Sequence, residues 1–514
     1  MIARTLAKTT PALLTIVLLA ACSPIQESPQ REEGARNVIL FVGDGFGAAQ
    51  NALGIQYAEF IEKRQLNIES LMHDGNTGYQ LPMPFERIVT DSAAGATQFA
   101  TGQRVLPETL ALNPEGYPIE TIVEWAHAHG LGTGLVTNMR ITHATPAGFA
   151  THQPSRYVRE QTLMDDILKD ADVDVLLGGG ARALVPRGTR VSESFPGIPA
   201  QLDGESLRDD ERYRVSDLED QGYTVVSDAA SMREAASRAT RLLGLFSATH
   251  LPYVVDREQM NLSSVPSVAE MTSAALEVLA RHDDGFFVLV EGGRIDYAGH
   301  ANDAGSMLHE ILDFDDAIGK GLAFQHDHPD TLVLVTGDHG TGGFSFDYAN
   351  FGPIPERTLD SGVVYRPGHE YANLDPLRIL FRQDASYGYI LKEAGADPEK
   401  LVELVRAHTG LEMTLDEAKE ALVRDEQGLA WMTEKRPFYN DPADNAEALL
   451  GRALARHDYV VWSSGGHTSD LVPTYGRGPG AENLRGIYPN THIYEVMREA
   501  LESGHIVSAG SASP

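Results

Sequence analysis

Three apolar runs in this chain stop at a glycine-rich turn flanked by acids. They are Asn37-Val-Ile-Leu-Phe-Val-Gly43 before Asp44, Gly285-Phe-Phe-Val-Leu-Val-Glu291 before Gly292-Gly293, and Thr331-Leu-Val-Leu-Val-Thr-Gly337 before Asp338-His339. A short, unbroken apolar run bounded by turn residues reads as a strand buried on both faces. Strands of that kind belong to parallel sheets, whose two faces are covered by crossover helices. The runs Gly130–Thr137, Val173–Leu177 and Tyr459–Trp462 continue the series, the last leading through Gly465-Gly466 to His467. Helical patterns separate them. Between Ala304 and Phe324, for example, Met307, Leu308, Ile311, Leu312, Ile318 and Leu322 form one apolar stripe. The alternation predicts an α/β fold, doubly wound, with a mostly parallel central sheet and helices on both faces.

Two stretches fit this rhythm poorly. Ala181 to about Ser227 is polar and rich in Gly, Pro and charge, and reads as a surface excursion. About 345–457 carries its own helical patterns, at Asp397–Ala407 and Thr414–Arg424, and reads as an inserted subdomain. It leaves the run that ends at Asp338-His339 and returns on the run that leads to His467. That placement predicts a position over the rim of whatever site those residues form.

In open α/β sheets the crevice beyond the carboxyl ends of the strands is where ligands bind. Asp44, Glu291, Asp338, His339 and His467 all fall at predicted strand ends. Asp296 and His300 follow Glu291 and stand four residues apart, on one face of a helical turn. Any one of these could be structural. Together they form a set of carboxylates and imidazoles, which suits catalytic zinc, while all-oxygen positions suit magnesium. Ser92 opens a run of small residues, Ser92-Ala-Ala-Gly95-Ala-Thr97. Alone it reads as part of a helix cap. Beside such a ligand set it reads as a nucleophile at a helix N-terminus, where phosphate is favoured. A serine needs a metal or a base to lose its proton at neutral pH.

The formal charge of −32 argues against nonspecific nucleic-acid binding. An anionic substrate would therefore need local positive charge, which bound metals supply. At the N-terminus Arg4 and Lys8 precede an apolar stretch, Pro11–Ala20, too short to span a bilayer. It ends Leu19-Ala20-Ala21-Cys22, which resembles a bacterial lipobox. The expectation is a lipoprotein signal peptide at 1–21, a polar tether at 22–35, and export with a lipid anchor on Cys22, at the outer membrane, periplasm or cell surface. Cys22 is the single cysteine, so neither an intramolecular disulfide nor a thiolate metal site is expected.

Strand-Asp44, Asp91-Ser92-Ala93-Ala94, Glu291-Gly-x-x-Ile295-Asp296-x-x-x-His300, Asp338-His339 and Gly466-His467-Thr468 come in an order that resembles the alkaline phosphatase family, from about Asn37 to Glu502. The resemblance implies that 36–514 is a catalytic domain of that fold, with the insert within it. It implies two zinc ions, one held by Asp296, His300 and His467, the other by Asp44, Asp338 and His339 beside Ser92. A third metal, usually magnesium, would lie on Asp44, Glu291 and Thr145. Arg156 matches the family's phosphate-clamping arginine, and Asp91 is placed to orient it. The implied reaction is hydrolysis of small phosphate monoesters through a phosphoserine on Ser92. Members are usually homodimers, so a dimer is expected. Two departures stand out. His143 occupies a position that is Asp in enteric bacterial members, which leaves magnesium or a further zinc open at the third site. Tyr297 replaces a Lys or His. His127, His129, His152, His250 and His309 fall outside the motifs and read as structural or exposed. Two rival readings are a phosphodiesterase of the same superfamily, which would lack the third site and the arginine, and a noncatalytic surface lipoprotein that binds phosphate or metal.

Overall fold

The structure is a computed structural model that describes residues 34–169, 172–348, 354–422 and 442–511. The signal peptide, Cys22 and all but the last residues of the tether lie outside the described residues.

The strands run β1 (Asn37–Gly43), β2 (Asn76–Leu81), β3 (Gly132–Arg140), β4 (Val175–Gly179), β5 (Tyr223–Val226), β6 (Arg241–Leu245), β7 (Phe286–Gly292) and β8 (Thr331–Gly337). After them come β9 (Gly340–Thr341), β10 (Phe344–Phe346), β11 (Arg357–Thr358), β12 (Val364–Tyr365), β13 (Val460–Trp462), β14 (His467–Thr468), β15 (Val472–Arg477) and β16 (Gly486–Pro489). Ten of them form one sheet, ordered β16-β2-β15-β8-β1-β7-β3-β4-β6-β5. Its pairings are parallel except at β15, which runs antiparallel to both β8 and β2. The expected doubly wound, mostly parallel sheet is therefore present.

Every residue of β1, β7 and β8 is buried, because both sheet faces are covered. Alternate side chains of β1 point to opposite faces. Ile39 and Phe41 enter one core with Ile311, Phe314 and Ile318 of the long helix Ala304–Asp327. Val38, Leu40 and Val42 enter the other, with Ala96, Phe99, Ile122, Trp125, Val496 and Met497. The register then sets the level of the strand ends. Gly43 lies opposite Gly292 on one side and Gly337 on the other. Asp44, Gly293 and Asp338 thus leave the sheet side by side.

Some expectations need correction. The Tyr459–Trp462 run is not a strand of the central sheet. Val460–Trp462 pairs antiparallel with Phe344–Phe346, and His467–Thr468 pairs with Gly340–Thr341. Val460 and Trp462 are buried while Val461 is 42% exposed, the alternation of a ribbon open to water on one side. The polar excursion at 181–227 closes with Tyr223–Val226, which is the edge strand of the sheet. β3 continues past Thr137 to Arg140, so polar residues extend a strand whose beginning alone is apolar.

The insert enters and leaves through the β10–β13 ribbon. Its helices Tyr387–Ala394, Pro398–Thr409 and Leu415–Ala421 and the helix Pro442–Asp458 share a core of Tyr387, Ile390, Leu401, Val405, Leu450 and Leu454. It is fastened to the N-terminus of the long helix. Asp303 accepts from Gln383 Nε2 at 2.7 Å and Tyr387 N at 2.8 Å, and Asp256 accepts from Ser386 N and Oγ at 2.8 Å. Among the described residues, none of the insert lines the cleft over the strand ends. Its described part docks beside the Ala304–Asp327 helix.

Candidate active site

The turn after β1 folds back sharply at Gly45, whose φ of +75° suits glycine and whose added Cβ would lie 2.7 Å from Asp296 Cα. This close approach lets Asp44 and Asp296 share one site. Asp338 is fixed from the same turn: its Oδ1 accepts from Gly45 N at 3.0 Å and from His339 N at 2.9 Å. Helix Ser92–Thr101 rests on these strand ends. A Cβ at Gly95 would come 3.1 Å from Asp338 Cβ, so the small residues of this helix are what allow Ser92 to reach the acids.

Asp91, not Ser92, is the helix cap. Its carboxylate accepts from Ala93 N at 3.1 Å and Ala94 N at 3.2 Å, from Glu108 N at 2.8 Å and from Arg156 Nη1 at 3.2 Å. One side chain thus starts the helix and orients the arginine. Ser92 is released from capping and turned inward, 2% exposed. Its Oγ lies 3.4 Å from Asp44 Oδ1 and 3.4 Å from His339 Nε2.

The acids and imidazoles fall into three groups. Asp296, His300 and His467 form the first. His300 Nε2 lies 3.2 Å from Asp296 Oδ2 and 3.1 Å from His467 Nε2, and His467 Nε2 lies 3.6 Å from Asp296 Oδ1. His300 Nδ1 faces the Gly465 carbonyl, and His467 Nδ1 faces that of Thr90 at 2.8 Å. A carbonyl only accepts, so both protons sit on Nδ1 and both Nε2 lone pairs turn toward Asp296, the usual arrangement of metal-ligating imidazoles. The second group joins Asp44 and His339, with Asp296 between the two sites. Asp338 Oδ2 lies 3.1 Å from His339 Nε2 and makes no hydrogen bond. The third joins Asp44, Glu291 and His143. Glu291 Oε2 accepts from Thr137 Oγ1 at 2.5 Å, and Thr145 lies alongside that carboxyl, opposing the effect of burial on it.

Charge shows what this arrangement lacks. Asp44, Glu291, Asp296 and Asp338 are all buried within one site. Burial, then the neighbouring acids, holds Asp44 well above the usual carboxylate range, and burial raises Glu291 to about 7. Burial acts the same way on Asp296, but His300, His467 and His339 outweigh it and hold it well below that range. Asp44 Oδ2, Glu291 Oε1 and His143 Nδ1 are buried without a hydrogen-bond partner. Clustered buried anions are costly unless cations accompany them. The donor set, oxygen and nitrogen without sulfur, fits divalent metals.

All ten site residues expected from the sequence therefore lie at this one edge: Asp44, Ser92, Thr145, Arg156, Glu291, Asp296, His300, Asp338, His339 and His467. Above them opens a cleft of about 600 Å³, lined by Asp91, Ser92, Arg140, His143, Arg156, Tyr297, His300 and His467, among others. His143, noted as a departure at the third site, joins the third group. Other contributors escaped the sequence reading. Thr341 Oγ1 donates to Asp296 Oδ1 at 2.5 Å and lies 3.2 Å from His339 Nδ1. Asn138 Oδ1 accepts from Gly293 N at 2.8 Å and Arg294 N at 3.2 Å, fixing the start of the helix that carries Asp296. His250, read as structural or exposed, packs against Arg140 and Tyr297, two residues of the cleft wall.

A sequence model of the alkaline phosphatase family matches residues 35–503. Alkaline phosphatase 3 of Bacillus subtilis is 29% identical over 478 residues, covering 92% of this chain and 90% of that protein. The alkaline phosphatase of Gadus morhua is 31% identical over 405 residues, covering 69% of this chain and 82% of its own. The crystal structure of Thermus thermophilus alkaline phosphatase superposes with a TM-score of 0.76 at 28% identity, covering 97% of this chain and 100% of that one. A family match across the whole described fold, and a site assembled at the same strand ends the motifs mark, lead to one conclusion: this chain is an enzyme of the alkaline phosphatase family.

Proposed function

We propose that the protein hydrolyses phosphate monoesters by double displacement through a phosphoserine at Ser92, using two zinc ions and one magnesium ion. The observation that carries this reading is the position of Ser92 Oγ, equidistant from Asp44 and His339 at the mouth of a buried acid cluster in which Asp44 Oδ2, Glu291 Oε1 and Asp338 Oδ2 have no hydrogen-bond partner. Asp296, His300 and His467 would hold the first zinc, Asp44, Asp338 and His339 the second, and Asp44, Glu291 and Thr145 the magnesium, with His143 beside it. Bound there, the divalent ions supply Lewis acidity for activating hydroxyl and water and for neutralising charge on the phosphoryl group.

The chain's own residues then do the positioning. Arg156, aimed by Asp91, presents a planar fork to two phosphate oxygens. Ser92 Oγ bonds to phosphorus as the ester P–O bond breaks and the alcohol leaves. Water then bonds to phosphorus as the Ser92 P–O bond breaks, releasing inorganic phosphate. Positioning and electrostatics carry most of such a transfer, because the phosphoryl group is only loosely bonded in the transition state.

Release of nitrophenol from nitrophenyl phosphate, dependent on metal and far faster than from the bis-nitrophenyl ester, is the expected result. Faster cleavage of the bis-ester would establish a diesterase. No cleavage of either by metal-loaded protein would leave a binding protein. We also propose that the mature protein begins at a lipidated Cys22, is exported and acts as a homodimer. Several acyl chains anchor firmly where one does not. Cys22→Ser is expected to shift active enzyme from the membrane to the soluble fraction or to stall its processing. An intact mass showing an unmodified Cys22 in membrane-extracted protein would refute the anchor.

A further inference from the structure

The cleft contains a second arginine that the reaction above does not use. Arg140 closes β3, reaches the cleft wall and is partly exposed there. Its surroundings satisfy it only in part. The backbone N of Arg140 lies 3.2 Å from His250 Nδ1, and Nη1 lies 2.8 Å from His250 Nε2. An imidazole has at most one free lone pair, so it can accept at most one of these two donors. Arg140 Nε is buried without a hydrogen bond. Its carboxylate partner is loose: Glu160 Oε2 lies 3.7 Å from Nε, an ion pair beyond hydrogen-bond distance that is shared with Arg182 at 2.7 Å. A guanidinium that reaches the wall of a substrate cleft with only a loose carboxylate partner is a place for an anion.

The distance from the phosphate arginine is short in side chains. Arg156 Nη2 meets His143 Nε2 at 3.3 Å, the His143 ring lies 5.5 Å from that of His250, and His250 holds Arg140. Tyr297 fills the corner, its hydroxyl 3.4 Å from His250 Nε2 and its ring 5.9 Å from that of His143. Two arginines therefore stand along one wall, separated by two imidazoles.

We propose that Arg140, held by His250, forms a second anion subsite that receives a carboxylate or phosphate carried on the leaving group of the substrate. The preferred substrates are then monoesters with a second negative charge a few bonds from the ester. This rests on the monoesterase reading and adds the substrate class to it.

The test compares matched pairs with the metal-loaded enzyme. Glycerol 1-phosphate and 3-phosphoglycerate differ by a carboxylate, and propanediol monophosphate and bisphosphate differ by a second phosphate. The readout is the ratio of kcat/KM, anionic over neutral partner, which general damage to the site does not move. Arg140→Gln is expected to lower that ratio on the order of tenfold or more in at least one pair, the worth of a charge-assisted hydrogen bond. The pair that responds identifies the anion. Arg140→Lys, which keeps the charge without the fork, should retain part of the preference, and carries the test alone if the glutamine variant does not fold. Ratios unchanged by both substitutions overturn the subsite and leave the monoesterase standing. Failure of the wild type to cleave any of the four compounds overturns the monoesterase and the subsite together.

Discussion

Ser92→Ala is expected to lower turnover of a phosphate monoester by about a thousandfold or more, since the variant keeps the binding site and loses the nucleophile. Stability should hardly change. The substitution removes one oxygen whose two contacts, at 3.4 Å each, are long for O–H hydrogen bonds. The helix keeps its cap, because capping belongs to Asp91. The check is direct. Protein is mixed with radiolabelled substrate and quenched in acid, which traps a phosphoserine if one forms. Wild type should carry label and the variant none, at equal circular dichroism and equal metal content. Label retained on Ser92→Ala would place the nucleophile elsewhere.

Stripping the metals with a chelator is expected to abolish activity, and zinc followed by magnesium should restore it. The loss should also appear in stability, with a dependence on pH. Without cations, Asp44 is held well above its ordinary value by burial and the neighbouring acids, and His339 is raised because Asp338 and Asp296 outweigh its burial. A group raised on folding stabilises the fold below its unfolded value, and that contribution is lost as pH rises through the folded value. Below about pH 7 other groups oppose this trend. Burial and His339 push His467 down to about 3, so its contribution is instead lost as pH falls below 6.5. Above pH 7 His467 is neutral in both states, and the raised groups dominate. Each pH unit over which the unfolded chain holds one proton fewer costs about 1.4 kcal/mol. The gap between the melting temperatures of loaded and stripped protein should therefore widen as pH rises above about 7. A constant gap would mean that the acid cluster does not hold the metals. His467→Ala should separately lose about one zinc per chain with the fold intact, and unchanged metal content would exclude it from the site.

The sheet was legible where burial is written into consecutive residues. β1, β7 and β8 are unbroken apolar runs because both faces of a central parallel strand are covered, and no other local pattern accounts for such runs beside glycine turns. Strands whose neighbours are less uniform escaped. β15 is Val472-Pro-Thr-Tyr-Gly-Arg477, which is buried at five of six positions yet has neither an apolar run nor clean alternation. The ligands were legible because acids and histidines directly after buried strands have few structural reasons to be there. Tertiary structure alone decided how they group. The register that levels Gly43, Gly292 and Gly337 is a property of three strands together. His467 is oriented by the carbonyl of Thr90, 377 residues away in sequence. Thr341 and Asn138 carry no charge, and His250 carries no spacing signal. Their roles arise from what faces them across the site. Sequence thus determined which segments are buried and which side chains sit at their ends, since both are local. The pairing of those ends, the cap on Asp91 and the loose pairing of Arg140 depend on contacts between distant segments, which no local pattern records.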